Sequence, residues 1–410
     1  MKSCWKTGIA CFLSLTLVAV FLLGCGGGGG GEKGVTITIG ELTDFTGSAA
    51  PAVKSIHYVI EDIAKYYNDE NLIPGVKVKI AAYDTRLDPS RDLPGYDWCK
   101  EHGAKVVITM FPQNADALKA FAERDKVVIA AMNGSPATFE PPGWVFCSTT
   151  LTAWGMKTML QWIHENDWKG QGIPKLGLVA WDEPGGVSTE NAVKEYVDDH
   201  PGEFDYVGGY LTPLGTTTFR GQAQKLKDCD YIATYSLPGA YALRDLRAIG
   251  GKGKLIDPMA ITGFKRFFAD LLGWDTLDGT LAGATCLTWN DSSPIVDLAK
   301  KLLHQYRSSE ANEMIDVGPG GYVGPAFAVI AIFEVLQQAI QNVGVENFDG
   351  QAYFDAAINY KTTSSMWAGC PQWSFSQTKR YLVDHVDIFE FSAEAQDLVR
   401  ITDWLPLIKE

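Results

Sequence analysis

One short polar stretch, one glutamine and several aromatic residues have the side chains needed to bind a small organic molecule. Asn133-Gly134-Ser135 offers backbone N–H groups and a hydroxyl that suit a carboxylate or an amide, and Gln113 carries both donors and an acceptor. Asn, Gly and Ser also form turns, so a plain turn is the alternative interpretation. Aromatic side chains can wall a cleft, although core packing is their more usual role. The aromatic candidates are Trp154, Trp181, Tyr235 and Trp289.

The sequence motifs of covalent and metal chemistry are absent. The chain contains no G-x-x-x-x-G-K-[ST] phosphate loop, no G-x-S-x-G nucleophile motif and no H-E-x-x-H zinc motif. Its six histidines are scattered without metal-ligand spacing. We therefore expect a protein that is not an enzyme, with no metal and no cofactor; a secreted α/β enzyme is the remote alternative.

Composition narrows the class of protein further. The 410 residues correspond to about two to three domains, and the 46% hydrophobic and 20% charged fractions are those of a globular protein. A net charge of −14 without a basic block makes nucleic acid an unexpected partner. The eight cysteines form no CxxC pair, which argues against a zinc ribbon or a thioredoxin-type redox site.

The first 24 residues are typical of an export signal. Lys2 and Lys6 precede a short apolar run at residues 9–23, which ends in Gly24-Cys25 and six glycines. This ending resembles a bacterial lipobox, which implies cleavage before Cys25, a lipid on that cysteine and a glycine tether over 25–34. The alternatives are an ordinary signal peptide or a membrane anchor. Five further cysteines remain, an odd number, so at least one thiol stays free: Cys99, Cys147, Cys229, Cys286 and Cys370.

Apolar periodicity predicts strands that alternate with helices, which is typical of parallel sheets in an α/β fold. The number of these units exceeds one comfortable sheet, so two lobes are expected. The predicted strands are 35–39, 76–83, 104–110, 127–131, 175–181, 206–211, 231–235 and 387–391. The predicted helices are 56–67, one ending over 98–102, and 115–124, 154–166, 189–199, 219–227 and 325–343.

The order of these elements and four short motifs resemble the type I periplasmic solute-binding proteins of ABC importers, specifically the branched-chain amino-acid receptors. The likeness covers about residues 35 to 395. Its motifs are the opening strand and loop at 39–47, Asp84 with Asp88-Pro89, the loop at 133–138 after the fourth strand, and Trp373-Ser-Phe375 near Phe389-Glu-Phe391.

The resemblance implies two Rossmann-like lobes that close on a ligand in the cleft between them. It assigns residues 35–149 and 286–370 to lobe 1 and residues 150–285 and 371–410 to lobe 2. The three crossings between the lobes are expected near 147–151, 283–289 and 369–373. Ligands of open α/β sheets bind beyond the carboxyl ends of the strands. The candidate ligand-binding residues are Phe45, Thr46, Gln113, Met132, Asn133, Gly134, Ser135, Trp154, Trp181, Tyr235, Thr262 and Trp289.

The second lobe departs from the pattern of an amino-acid receptor. Receptors of this family hold the α-amino group with acidic side chains, and none occurs near residues 151–153 or 261–264. Asp182 and Glu183 could substitute, and an aromatic acid, an amide or another small solute stays open. We expect a monomeric, lipid-anchored substrate-binding subunit that delivers its solute to an ABC permease. A sensory ligand-binding protein that reports to a membrane receptor is the alternative.

Overall fold

The computed structural model describes residues 34–47 and 49–409. The predicted signal, the lipidated Cys25 and nearly all of the glycine tether lie outside this range. Within it, the chain builds two α/β lobes, each around its own β-sheet. The predicted fold class is therefore confirmed.

Five parallel strands form the sheet of the first lobe: β1 (Val35–Thr43), β2 (Val76–Asp84), β3 (Val106–Thr109), β4 (Val128–Ala131) and β5 (Val145–Cys147). Their spatial order is β2-β1-β3-β4-β5. At the edge, β2 alternates buried valines with exposed lysines, whereas β3, β4 and β5 are buried throughout. Strands that are covered on both faces in a parallel sheet have such unbroken apolar sequences.

Four helices accompany these strands: α1 (Ala50–Asp69), α2 (Asp92–Glu101), α3 (Pro112–Asp125) and the short α4 (Pro136–Phe139). The chain returns later to add α11 (Pro294–Tyr306), α12 (Ala311–Val317), α13 (Val323–Val343) and α14 (Gly350–Ala357). One hydrophobic core joins both parts of the first lobe. α13 is long and apolar enough to cross a membrane, but it lies in this core and is mostly buried.

The second lobe has the larger sheet. Its parallel strands are β6 (Lys175–Trp181), β7 (Asp205–Thr212), β8 (Tyr231–Thr234), β9 (Lys254–Asp257) and β10 (Leu281–Ala284). Three antiparallel strands complete it: β11 (His385–Ser392), β12 (Asp397–Arg400) and β13 (Leu405–Pro406). The main order is β12-β11-β10-β9-β8-β6-β7, and β13 pairs with β11.

Strand alternation gives this sheet two separate cores, one on each face. Val179 packs into one core, whereas its neighbours Leu178 and Ala180 pack into the other. The helices of the lobe are α5 (Thr152–Trp162), α6 (Pro184–Asp199), α7 (Arg220–Lys225), α8 (Pro238–Ala248), α9 (Lys265–Leu272) and α10 (Trp274–Leu277).

The chain passes between the lobes after β5, after β10 and before β11. The first and last of these crossings run side by side as a parallel pair, because Cys147 N–H donates to the carbonyl of Arg380 (2.7 Å) and Leu382 N–H donates to the carbonyl of Cys147 (2.8 Å). A third bond joins Val383 N–H to the carbonyl of Thr149 (3.2 Å).

The prediction of the last crossing at 369–373 is wrong. Trp373 is fully buried in the core of the first lobe, where Phe375 and Leu382 also pack. The backbone N–H of Trp373 donates to the Thr362 hydroxyl at 2.8 Å, which fixes Trp373 in this core. Residues 371–383 therefore belong with the first lobe, and the chain crosses at about 380–384.

Candidate functional site

Several of the predicted ligand residues lie at the carboxyl ends of strands, in the loops after β1, β3 and β4 of the first lobe and after β6 and β8 of the second. The two lobes touch beside these loops, where α3 of the first lobe contacts α6 of the second. Ligands of open α/β sheets occupy this edge.

The loop after β1 is held by a carboxylate from the neighbouring strand. Asp84, the last residue of β2, accepts hydrogen bonds from the N–H of Phe45 (2.9 Å) and the hydroxyl of Thr46 (2.7 Å). Burial opposes ionisation, but these bonds and the N–H of Arg86 outweigh it and lower the pKa of Asp84. The Phe45 side chain remains 42% exposed.

The backbone that follows β2 is strained at the same edge. Arg86 and Leu87 have φ values of 57° and 53°, in the left-handed region that side chains with a Cβ seldom adopt. In the second lobe Ser236, directly after Tyr235, has φ of 68°. Such strain is concentrated at binding sites, where the surrounding structure holds it in place.

The polar groups of the loop after β4 bond to their own lobe. The Ser135 hydroxyl donates to Asp116 of α3 (3.1 Å), and the Asn133 amide donates to the carbonyl of Met110 (3.3 Å). Gly134 lies against Phe139, whose ring atoms would stand 2.4 Å from an added Cβ. Met132 and Phe139 are buried, whereas Gln113, in the first turn of α3, is half-buried.

Tyr235 lies at the carboxyl end of β8 and packs on the first turn of α6. A Cβ at Gly185 would lie 2.2 Å from its ring, so only glycine leaves room for it. Burial, with a smaller contribution from the charges of Glu183 and Asp257, raises the pKa of Tyr235. The phenol is therefore neutral at physiological pH and can donate a hydrogen bond.

The tryptophan candidates Trp181 and Trp154 are both half-buried. Trp181 ends β6, is half-buried and donates its indole N–H to the carbonyl of Thr216 at 2.9 Å. Trp154, in α5, meets Tyr381 of the last crossing edge-on with ring centroids 4.6 Å apart. Lys409 lies over both the Trp154 and the Tyr381 ring.

The structure does not bring Thr262 and Trp289 to the same place as the other candidates. The Thr262 hydroxyl donates to the carbonyl of Met259 (3.0 Å), and its own carbonyl packs against Gly318. Trp289 is buried in the first core and stacks on Tyr322, with ring centroids 6.2 Å apart. Both residues pack in the body of the protein around the second crossing.

Sequence reasoning missed two buried acids behind the site. Asp257 ends β9 and accepts hydrogen bonds from four backbone N–H groups, of Ser236 (2.6 Å), Met259 (2.9 Å), Ala260 and Ile261. Glu41 is fully buried in β1. Glu41 could have been noticed in the sequence, because it is a charged residue inside an apolar strand. The backbone partners of Asp257 leave no such local pattern in the sequence.

No group of three or more metal-ligating side chains occurs in residues 34–47 and 49–409. Two lobes, each with its own sheet and joined by three crossings, distinguish this chain from a single-sheet α/β protein. A family model described as periplasmic binding protein matches residues 36–367. The chain thus belongs to that family, the type I solute-binding proteins of ABC transporters.

Solved structures share the fold at low sequence identity. A branched-chain amino-acid ABC transporter protein from Thermus thermophilus with bound valine has a TM-score of 0.76 and 15% identity, covering 91% of this chain and 96% of its own. A fatty-acid ABC transporter substrate-binding protein from Thermomonospora curvata has a TM-score of 0.77 and 15% identity, covering 91% of this chain and 92% of its own. A solute-binding protein from R. palustris in complex with 4-hydroxybenzoate has a TM-score of 0.72 and 18% identity, covering 92% of this chain and 97% of its own. No curated protein matches the sequence.

Proposed function

We propose that this protein is the lipid-anchored substrate-binding subunit of an ABC importer, which captures a small organic solute by lobe closure and delivers it to the permease. The observation that carries the proposal is that, in a chain of this family, Phe45 and the loop after β4 lie at the carboxyl ends of first-lobe strands and Tyr235 at the carboxyl end of a second-lobe strand, in lobes that touch through α3 and α6. Its role is to bind and release the solute without altering it.

The acids around the cleft favour a solute without an ammonium group. Five carboxylates at or near the strand ends already accept hydrogen bonds from their own lobe. These are Asp44, Asp84, Asp116, Glu183 and Asp257. An unpartnered buried ammonium is costly, so an amino acid would need one of these carboxylates to accept a further bond.

Asp182 and Glu183, the two acids that the sequence offers as partners for an α-amino group, differ in how free their carboxylates are to bind one. Glu183 caps α6 by accepting hydrogen bonds from Gly185 N–H (3.0 Å) and Gly186 N–H (2.7 Å). Asp182 is exposed, where water competes for its charge. Tyr235 and the half-buried Gln113 are donors that suit a carboxylate or an amide. We therefore propose an organic acid, with an aromatic acid first among its classes, as the solute.

A thermal-shift screen tests the function. Residues 26–410 are heated with valine, leucine, benzoate, 4-hydroxybenzoate, benzamide and octanoate. A solute at about 100 times its Kd stabilises the folded state by about 2.7 kcal/mol. We expect an acid without an ammonium group to raise the Tm most; the absence of stabilisation across a broad solute library would contradict the proposed function.

Two substitutions test the site with the best solute of that screen. Tyr235→Ala removes the ring that packs on α6, and Ser135→Ala removes a hydroxyl that holds the loop after β4. We expect each to weaken binding about tenfold, equal to about 1.4 kcal/mol. Ser374→Ala, in the first lobe away from the strand ends, is the control. Unchanged affinity in both test variants would refute this site.

The lipid anchor is tested with the full chain in a bacterial host. We expect mass spectrometry of the membrane fraction to find acyl chains on Cys25 as the first residue. Several acyl chains give stable anchoring, so Cys25→Ser should move the protein to the soluble exported fraction. Unlipidated wild-type protein would refute the anchor and leave the binding proposal intact.

A further inference from the structure

A histidine is paired with a buried carboxylate directly behind the loop that follows β1. Glu41 of β1 is fully buried, and its carboxylate oxygens lie 2.8 and 3.0 Å from Nδ1 of His57 on α1. The His57 side chain is itself only 14% exposed. The site described above uses neither residue.

The charged groups around His57 come from each element packed on it. Besides Glu41 from β1, Glu61 lies one turn further along α1, with Oε1 3.6 Å from Nε2 of His57. Arg307, just after α11, pairs with Glu61 at 2.7 Å and with Asp62 at 2.9 Å. His57 thus faces two carboxylates directly and one guanidinium through Glu61.

The ring of Phe45 lies on the other side of the histidine. The Phe45 and His57 rings meet edge-on, with centroids 4.8 Å apart and planes at 85°. The Asp84 carboxylate fixes the Phe45 backbone, but within the described residues His57 is the aromatic neighbour of its side chain. The direction of the half-exposed Phe45 ring therefore depends on where the imidazole is held.

We propose that His57 is a positioning residue for the solute site, which, held on Glu41, directs the Phe45 ring into the mouth of the cleft. The inference rests on the proposed function, because it assigns Phe45 to the solute. The imidazolium and the buried carboxylate keep α1 and β1 in register at this point. Loss of the proton leaves a buried carboxylate without its cation, which favours relaxation of the pair and of the Phe45 ring.

The electrostatics give the sign of the pH dependence. Burial disfavours the imidazolium, but the hydrogen bond and charge of Glu41, together with Glu61, outweigh it and raise the pKa of His57. Burial also raises the pKa of Glu41, with His57 opposing. The imidazolium that faces Glu41 therefore persists above the ordinary histidine pKa of about 6.5, and is lost as the pH rises through the higher pKa of His57.

The first experiment needs no solute. In wild-type protein, NMR follows the His57 imidazole and the Phe45 ring from about pH 5.5 to about pH 9.5, a range that spans the ordinary histidine pKa. We expect His57 to titrate above that ordinary value and the Phe45 resonances to move with the same midpoint. His57→Gln should abolish the Phe45 transition, whereas His304→Gln, an exposed histidine of α11, should keep it.

The second experiment measures affinity by calorimetry with 4-hydroxybenzoate and valine over the same pH range. A shift of about one half to one pKa unit between solute-free and solute-bound protein gives about three- to tenfold weaker binding at high pH. His57→Gln should bind with the high-pH affinity at every pH, and His304→Gln should follow the wild type.

The outcomes separate this inference from the proposed function. Phe45 resonances that ignore the titration of His57 overturn the positioning role, whether or not a solute binds. If neither probe binds, the NMR titration of the wild type alone decides the role of His57, and the proposed solute class is what fails. A solute that binds with the same pH dependence in His57→Gln and wild type also overturns the inference.

Discussion

Gly185 shows how a single hydrogen atom in place of a methyl group shapes the second-lobe side of the cleft. The Tyr235 ring occupies the space that a Cβ would take. Gly185 also lies in the first turn of α6, where glycine is a poor helix former. The helix therefore carries an unfavourable residue at the position where the aromatic ring needs room.

Gly185→Ala should raise the helix propensity of α6 and yet lower the stability of the protein. Alanine gains about 1 kcal/mol of helix propensity, but the added Cβ displaces the Tyr235 ring, so we expect lower stability and about tenfold weaker solute binding. Calorimetry measures the affinity for the solute, and urea unfolding measures the stability. The control Gly221→Ala, in α7, meets no atom within 4 Å and should gain stability. If the Gly185→Ala variant binds the solute as tightly as the wild type does, the role of the ring is contradicted.

Burial also makes the cysteines unreactive. The five in the described part of the chain are free, and four of them are buried. Burial raises the pKa of the Cys147 and Cys229 thiols to about 11 and that of Cys286 and Cys370 to about 12. Thiolates are the reactive form, so these thiols are slow nucleophiles at neutral pH.

At the scale of elements, the polar junction before β11 anchors the last crossing. Asp384 accepts a hydrogen bond from Lys379 (2.8 Å) and lies 2.8 Å from Nδ1 of His385. Burial would raise the pKa of this carboxyl, but the bonds to His385 and Lys379 lower it to about 2. The carboxylate thus stabilises the folded protein at any pH above the ordinary aspartate pKa.

Asp384→Asn should lower the unfolding free energy by about 1 kcal/mol near neutral pH, allowing for solvent screening of this half-buried group. The contribution is present above about pH 4 and disappears as the pH falls toward about 2, since protonation of the native carboxyl removes it. Urea unfolding at about pH 6, 4 and 3 measures the difference on both sides of the ordinary aspartate pKa. Asp403→Asn, at an exposed position, is the control. A difference independent of pH would contradict the ion pair.

Local periodicity predicts elements well where the chain pattern alone decides them. The strand expected at 175–181 coincides with β6. For α2 the pattern predicts only the end, at 98–102, and does not include Pro94 and Gly95. In the structure both lie inside the helix, and Gly95 is needed because a Cβ there would lie 2.5 Å from Tyr83. This requirement is tertiary and leaves no local pattern.

The sequence predicts where the proposed site should lie, but not which hydrogen bonds its residues form. Loops at strand ends are the expected place, and Phe45 and Tyr235 lie there. The partners that occupy Ser135 and Thr46 come from other elements, so spacing along the chain does not show them. The position of the last crossing is predicted wrongly for a related reason. The sequence around Trp373 resembles the family's last crossing segment, but Trp373 packs in the core of the first lobe.

At the scale of the whole molecule, the lobes are already in contact through α3 and α6. Under the proposed function, a solute between the lobes would stabilise a compact form over an open one. For a chain of this size the radius of gyration is about 21 Å. The cleft can close only by bringing the two lobes nearer to one another.

We expect solution scattering to show a radius of gyration smaller by roughly 0.5–1 Å when a saturating solute is added. Tyr235→Ala at the same solute concentration should remain partly open. Compactness that does not change with any stabilising solute would contradict lobe closure as the mode of capture.

The hydrogen bonds between the first and last crossings turn two separate connections into a ribbon. Such a ribbon resists sliding, because displacement of one strand along the other breaks those bonds, but it bends out of its plane with all of them intact. We expect this ribbon to restrict lobe motion to essentially one rotation. Each closing movement would then return the same second-lobe surface to the same first-lobe surface, and selectivity between solutes would depend on the hinge axis as well as on the cleft walls.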